Sequence, residues 1–316
     1  MCDARKAKAS NTWLQRRIDE QIFSSGLLYV VFTLATTDHY RQQMFVITSP
    51  AEAKESQQIF NLDTLMAGRQ LYRYSSRFYI MTHFSISIVS DTVCPWCYIG
   101  LRNLQAAIDH RTANHPNDTF SLTWHPFQLN PNTLQGQTVD KRTSYETKLG
   151  SDGARAVFDR LRSAGTAAGI NFSFGGRTGN TIDSHRLLEL ACRQAANSEP
   201  SSAQSVPGQK VLQTRLAEEI FADFFEREQD ITDPTVLSKA AVRAGLSGVE
   251  QDFKAFLASD DFVDVVHKTA AAQRQDGING VPHFTINDEF TVEGAQEPTA
   301  FLHLFGKLAK RTRAVL

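Results

Sequence analysis

The chain has 316 residues, with 33 Lys and Arg against 34 Asp and Glu and a formal charge of −1. Its 41% hydrophobic content supports a substantial core, and its length allows two domains or one domain carrying a large insertion. The charge balance gives no basis for a nucleic-acid binder, four cysteines are too few for a disulfide-stapled secreted scaffold, and no uninterrupted apolar run has the length of a membrane span.

Residues 1–80 carry 10 Lys and Arg and 7 Asp and Glu, with no sustained helical or strand period. The apolar run Gly26 to Ala35 has the length of a signal-peptide core, but Asp19 and Glu20 precede it and no clear small-residue cleavage site follows. This region is expected to be a poorly ordered extension outside the functional fold, and the expected compartment is the cytoplasm. From Met81 the texture changes. Phe84, Ile86 and Ile88 alternate with Ser85 and Ser87, predicting a strand. Cys94-Pro95-Trp96-Cys97 follows, then a helix in which Ile99, Leu104 and Ile108 share a stripe. Phe120, Leu122 and Trp124 predict a second strand, closed by His125-Pro126.

From about Asp140 to His267 the pattern is mainly helical, interrupted by the low-complexity loop Ser198 to Gly208. Asp233-Pro234 predicts a capped helix start, with Asp233 at N-cap and Pro234 in the first turn. Strand texture returns at His283 to Ile286, with Asn287-Asp288 as a turn and Phe290 to Val292 as the returning strand. A helix from Pro298 to Lys310 ends the pattern. No internal repeat is visible.

The chemistry centres on Cys94 and Cys97. A strand precedes the pair and a helix follows it, so Cys94 sits where unpaired backbone N–H groups and the helix dipole favour a thiolate. The i, i+3 spacing brings Cys97 to the same face, where it can act as a resolving thiol. Half of a zinc site or two inert thiols are the alternatives. Zinc would need two further ligands, and Cys2 and Cys192 lie in unrelated contexts. Cys192 reads as a helix core residue. Val281-Pro282 enters the strand at His283; a proline there has either an ordinary trans bond or a cis bond that exposes the Val281 backbone to an extended partner. His125 and His283 flank the sheet end and would influence a nearby thiol.

Several stretches together resemble a known family. Ser90-Asp91-Thr92-Val93-Cys94-Pro95-Trp96-Cys97-Tyr98-Ile99-Gly100 is similar to the active-site segment of the DsbA-like thioredoxin superfamily, its FrnE-type branch especially. Trp124 to Leu129, Asn180 to Leu187, Gly280 to Phe284 and Gly294-Ala295-Gln296 follow in the family's order. The resemblance implies an α/β class, a thioredoxin-like fold interrupted by a large all-helical insertion domain. The expected parts are 81–127 and 270–316 for the thioredoxin-like domain and 128–269 for the insertion. It further implies a thiol–disulfide oxidoreductase with Cys94 attacking, Cys97 resolving, Pro95 and Trp96 between them, and Pro282 in cis beside Val281. His185 and Arg186 match a segment of the insertion that could face the cleft, with substrate contact and helix packing both open. The expected partners are protein or small-molecule thiols and disulfides, with no metal, no cofactor beyond the cysteine pair, and glutathione as a candidate electron partner. Kappa-class glutathione transferases and 2-hydroxychromene-2-carboxylate isomerases share the architecture but typically have no cysteine pair. A glutathione-dependent transferase or isomerase and a non-enzymatic peptide-binding module are therefore the competing functions.

Overall fold

The computed structural model describes residues 28–36, 39–47, 81–197 and 212–315. The chain divides into two compact units, Met1–Arg77 and Phe78–Leu316. Within the first, β1 (Leu28–Thr36) and β2 (His39–Ile47) pair antiparallel from Leu28↔Ile47 to Thr36↔His39. The extension was expected to lack regular elements, and these two stretches are strands. The apolar run is rich in β-branched and aromatic residues, which suit a pleated pairing as well as they suit a signal-peptide core. The remainder of residues 1–80, Cys2 included, and the Ser198–Gly208 loop lie outside the described residues.

The second unit opens with β3 (His83–Ser90), α1 (Pro95–Asn114) and β4 (Thr119–Pro126), and closes with β7 (His283–Ile286), β8 (Phe290–Glu293) and α8 (Pro298–Val315). Between them lie β5 (Val139–Asp140), α2 (Lys141–Ala167), β6 (Arg177–Thr178), α3 (Ile182–Asn197), α4 (Leu212–Phe225), α5 (Pro234–Ala244), α6 (Glu250–Ala258) and α7 (Val263–Gln275). The main sheet has the order β4-β3-β7-β8, with β3 parallel to β4 and antiparallel to β7. A parallel β3–β4 pair requires a crossover, and α1 supplies it. α7 runs past the expected end of the insertion at 269 and packs against β4, so it belongs to the sheet as much as to the helical region.

Strand alternation decides which face of the sheet is dry. Phe84, Ile86 and Ile88 are buried, while Ser85 and Ser87 on the opposite face are half-buried. Phe84 stacks on Phe120 at 5.0 Å and meets Phe305 of α8 at 4.8 Å. Asn287 and Asp288 form the predicted turn with φ of 52° and 54°, left-handed values that Asn and Asp tolerate better than most residues, and the Glu289 N–H closes it on the Ile286 carbonyl at 3.2 Å. Asp233 caps α5 by accepting from the Thr235 N–H at 2.7 Å, with Pro234 in the first turn.

Buried polar groups join the sheet to the helices. The Gln213 side chain accepts from the Trp124 N–H at 3.0 Å and donates to the Trp124 carbonyl at 3.2 Å, pairing with the β4 edge as a strand would. Arg186 is buried and makes five hydrogen bonds, to Asp183 and to the carbonyls of Phe256, Leu257, Ser259 and Asp261. Those partners match the five donors of a guanidinium and satisfy carbonyls at the end of α6. Of its two open roles, this is helix packing. Lys141 is buried, donates to the Phe224 carbonyl, and lies 3.8 Å from the Phe224 ring centroid.

Two measurements test these anchors. Arg186→Met leaves a carboxylate and four carbonyls without their donor and is expected to cost about 3–5 kcal/mol in urea denaturation, with Arg186→Lys recovering less than half. Burial pushes Lys141 down from 10.5 to about 8, against the opposing pull of Glu228 and Asp140. Across that interval the unfolded chain binds more protons, so this site's contribution to stability is most unfavourable below 8 and improves as pH rises toward 10.5. Lys141→Met should lack that rise when denaturation midpoints are compared across the interval.

Candidate functional site

The site forms where β3 ends. The Cys94 N–H donates to the Asp91 carbonyl at 3.0 Å, closing a turn that aims Cys94 into the N-cap position of α1. Cys94 has extended backbone angles, φ −91° and ψ 113°, and Pro95 occupies the first turn, where its missing N–H costs no helical bond. The Cys94 carbonyl accepts from the Cys97 N–H at 3.1 Å, so the helix starts at once and brings Cys97 in behind Cys94. Both are free thiols and both are buried, Cys97 to 2% exposure and Cys94 to 5%. The Cys94 Sγ lies 3.6 Å from the Val281 carbonyl oxygen, and the Val281–Pro282 peptide is cis.

Burial pushes the Cys97 thiol well above its usual range, and the hydrogen bond with Cys94 and the Cys94 charge act in the same direction. Cys97 therefore holds its proton at neutral pH. Tyr145 of α2 feels that charge as well. Its phenol is pushed up to about 12, by burial first and by the Cys94 charge second.

The turn carrying Cys94 is fixed from the insertion. Asp91 is fully buried; its Oδ2 accepts from the Leu129 N–H at 2.7 Å and its Oδ1 lies 3.4 Å from His185 Nε2. The same Nε2 lies 3.1 Å from the Phe127 carbonyl, an acceptor only, so Nε2 carries the ring proton. Thr92 and Ser184 share a hydrogen bond of 2.7 Å between their hydroxyls. Asn180 caps α3 by accepting from the Ile182 N–H at 2.8 Å. The Asn180-to-Leu187 stretch thus buttresses the Asp91–Cys94 turn, and His185 acts by packing and hydrogen bonding beneath it.

Among the described residues, no hydrogen bond joins either of the other two candidate histidines to a cysteine sulfur. His125 shares with Ser90, His185 and Glu189 a cleft of about 330 Å³, counting its solvent-open space, and neither cysteine lines it. Burial holds the His125 imidazole below its usual value, with the Glu189 charge opposing. His283 pairs with Val89 in the sheet and with Glu293 across the hairpin. Cys192 is half-buried in α3. Among the described residues, no group of three or more His, Cys, Asp or Glu side chains could hold a metal ion, and no helix is long and apolar enough to cross a membrane.

Three contributors escaped the spacing of the sequence. Tyr98, next to Cys97, donates to Glu226 at 2.5 Å and stacks on Phe221 at 5.2 Å, tying α1 to α4. Arg160 of α2 lies over the Trp96 ring, 5.0 Å from its centroid. Gly100 faces the cis-proline loop at a distance that leaves no room for a Cβ, which would come 2.9 Å from Pro282 Cγ and 3.1 Å from Phe284 Cζ.

Residues 85–306, well over half of the chain, match the DSBA-like thioredoxin domain. The chain belongs to that family. A DSBA-like neighbour of known structure, a probable DsbA oxidoreductase from Streptomyces coelicolor, is 25% identical, superposes with a TM-score of 0.60, and is covered to 91% of its length by 72% of this chain. The protein YwbO of Bacillus subtilis is 25% identical over 208 residues, which span 64% of this chain and 86% of YwbO. The DSBA-like assignment covers the thioredoxin-like sheet and the helical insertion together, in keeping with the single unit they form.

The Gly100 contact is testable. Gly100→Ala gains about 1 kcal/mol of helix propensity but overpacks a stiff proline ring, which typically costs about 1–3 kcal/mol. The expected net result is a lower denaturation midpoint and a loop displaced from Cys94, the latter seen as a changed rate of Cys94 alkylation. A stabilised protein with unchanged alkylation would show that the helix and loop do not meet as described.

Proposed function

We propose that this protein is a thiol–disulfide oxidoreductase that uses Cys94 as nucleophile and Cys97 as resolving thiol. One observation carries the reading: the Cys94 sulfur lies beside the Val281 carbonyl at the cis-proline loop while a proton-holding Cys97 sits buried behind it. An extended substrate can pair with the Val281 backbone and present its disulfide to Cys94. Attack by the Cys94 thiolate forms a mixed disulfide and releases one substrate thiolate. Cys97 then loses its proton, attacks the Cys94 sulfur and releases the second thiolate. The substrate gains two electrons, and the Cys94–Cys97 pair becomes a disulfide. Run backwards, the same steps oxidise a dithiol.

The dithiol itself supplies the redox chemistry, with glutathione as a candidate electron partner. A cytoplasmic setting, the compartment expected from the sequence, keeps thiols mostly reduced and favours reduction or isomerisation of substrate disulfides over bulk disulfide formation. Cys94 and Cys97 are both present, which supports this function over a kappa-class transferase or isomerase.

Single cysteine replacements test the assignment. Cys94→Ser is expected to lower insulin-disulfide reduction by about 10³-fold or more, while Cys97→Ser should accumulate mixed disulfides with substrate. Glutathione-dependent turnover of an electrophile surviving loss of both cysteines would favour the transferase, and peptide binding without any redox activity would favour the binding module.

A further inference from the structure

α2 is broken at Gly150, whose φ of 74° and ψ of 164° are not helical. Its two runs fold so that Tyr145 of the first meets Phe158 of the second edge-on, with centroids 5.1 Å apart. The second run carries three exposed arginines in differing circumstances. Arg155 and Arg162 pair with Asp152 at 3.6 Å and Asp159 at 2.8 Å, one turn away. Arg160 has no carboxylate partner among the described residues, and its guanidinium lies over the ring of Trp96, between the two cysteines in sequence.

A guanidinium over an indole is attracted by the negative face of the ring, a contact that needs no carboxylate partner. The N–H donors of a guanidinium suit a planar anion, for which bidentate hydrogen bonding fits a carboxylate. The N-terminus of α1 contributes a field of the same sign, since the dipole there is positive. The two features give the rim beside Cys94 a preference for negative charge, although the whole chain is nearly neutral.

We propose that Arg160, held on Trp96, recognises a carboxylate of the disulfide substrate and so biases the Cys94 site toward disulfides with a carboxylate near the sulfur. This rests on the oxidoreductase reading and adds a substrate charge class to it. With such a disulfide RSSR, Cys94 thiolate forms Cys94–S–S–R and expels RS⁻. Cys97 then gives up its proton, closes the Cys94–Cys97 disulfide and expels the second RS⁻. Two protein thiols are oxidised and one RSSR becomes two RSH.

The test measures how fast the reduced protein loses its thiols to three probes: anionic glutathione disulfide, cationic cystamine and neutral bis(2-hydroxyethyl) disulfide. Dividing each rate by that of the neutral probe removes differences in folding or thiol reactivity between variants. Wild type is expected to favour glutathione disulfide over cystamine. Arg160→Glu should lower that ratio about tenfold and Arg160→Gln about threefold, on the scale of a partly exposed charge contact. Added salt should narrow the wild-type preference. Should Arg160→Glu not fold, Arg160→Gln carries the comparison. An unchanged ratio in a folded variant overturns the role of Arg160 while leaving the oxidoreductase reading standing; failure to react with all three probes overturns both.

Discussion

The buried contact between Asp91 and α3 holds the Cys94 turn in place, and the geometry around the sulfurs depends on it. Asp91 receives the Leu129 N–H and approaches His185, while Thr92 bonds Ser184. These groups lie where water does not compete, so loss of any partner leaves a desolvated polar atom rather than a mere gap. The turn is thereby clamped between β3, the segment after β4 and the start of α3. Cys94 is presented at a helix start because the residues before it have no freedom to move away.

The helical insertion is therefore more than a cover over a thioredoxin-like sheet. α3 contributes His185 and Ser184 under the turn, α4 contributes the Phe221 and Phe225 rings that stack with Tyr98, and α2 crosses to Trp96. Arg186 and Lys141, two buried cations, hold these helices to one another by capping exposed carbonyl ends. Precision at the sulfurs is maintained by segments far away in the chain, which explains why the insertion and the sheet form one compact unit.

Much of this is legible in the sequence. The alternation around Phe84 to Ile88, the Asn287-Asp288 turn, the Asp233-Pro234 cap and the cysteine pair are local patterns, and local patterns reach the sequence directly. The contributors that were missed depend on distance. Arg160 looks like any arginine on a solvated helix until the Gly150 break folds α2, and Tyr145 reaches the Cys94 field by the same fold. His185 could be read as substrate-facing or as packed, since helical position alone does not reveal a partner on Asp91. The β1–β2 hairpin was missed because its apolar strand has the composition of a signal-peptide core and its partner strand has little period.

The side chain of Gln213 occupies the outer flank of β4 at Trp124, taking both backbone groups that a neighbouring polypeptide would seek there. The two margins of the main sheet are consequently not equivalent. On the β4 side, annexation of a foreign strand must first evict an amide plugged into the ladder. On the opposite margin, Phe290–Glu293 forms the outermost strand, where the Gln296 side chain donates to the Glu293 carbonyl at 2.9 Å.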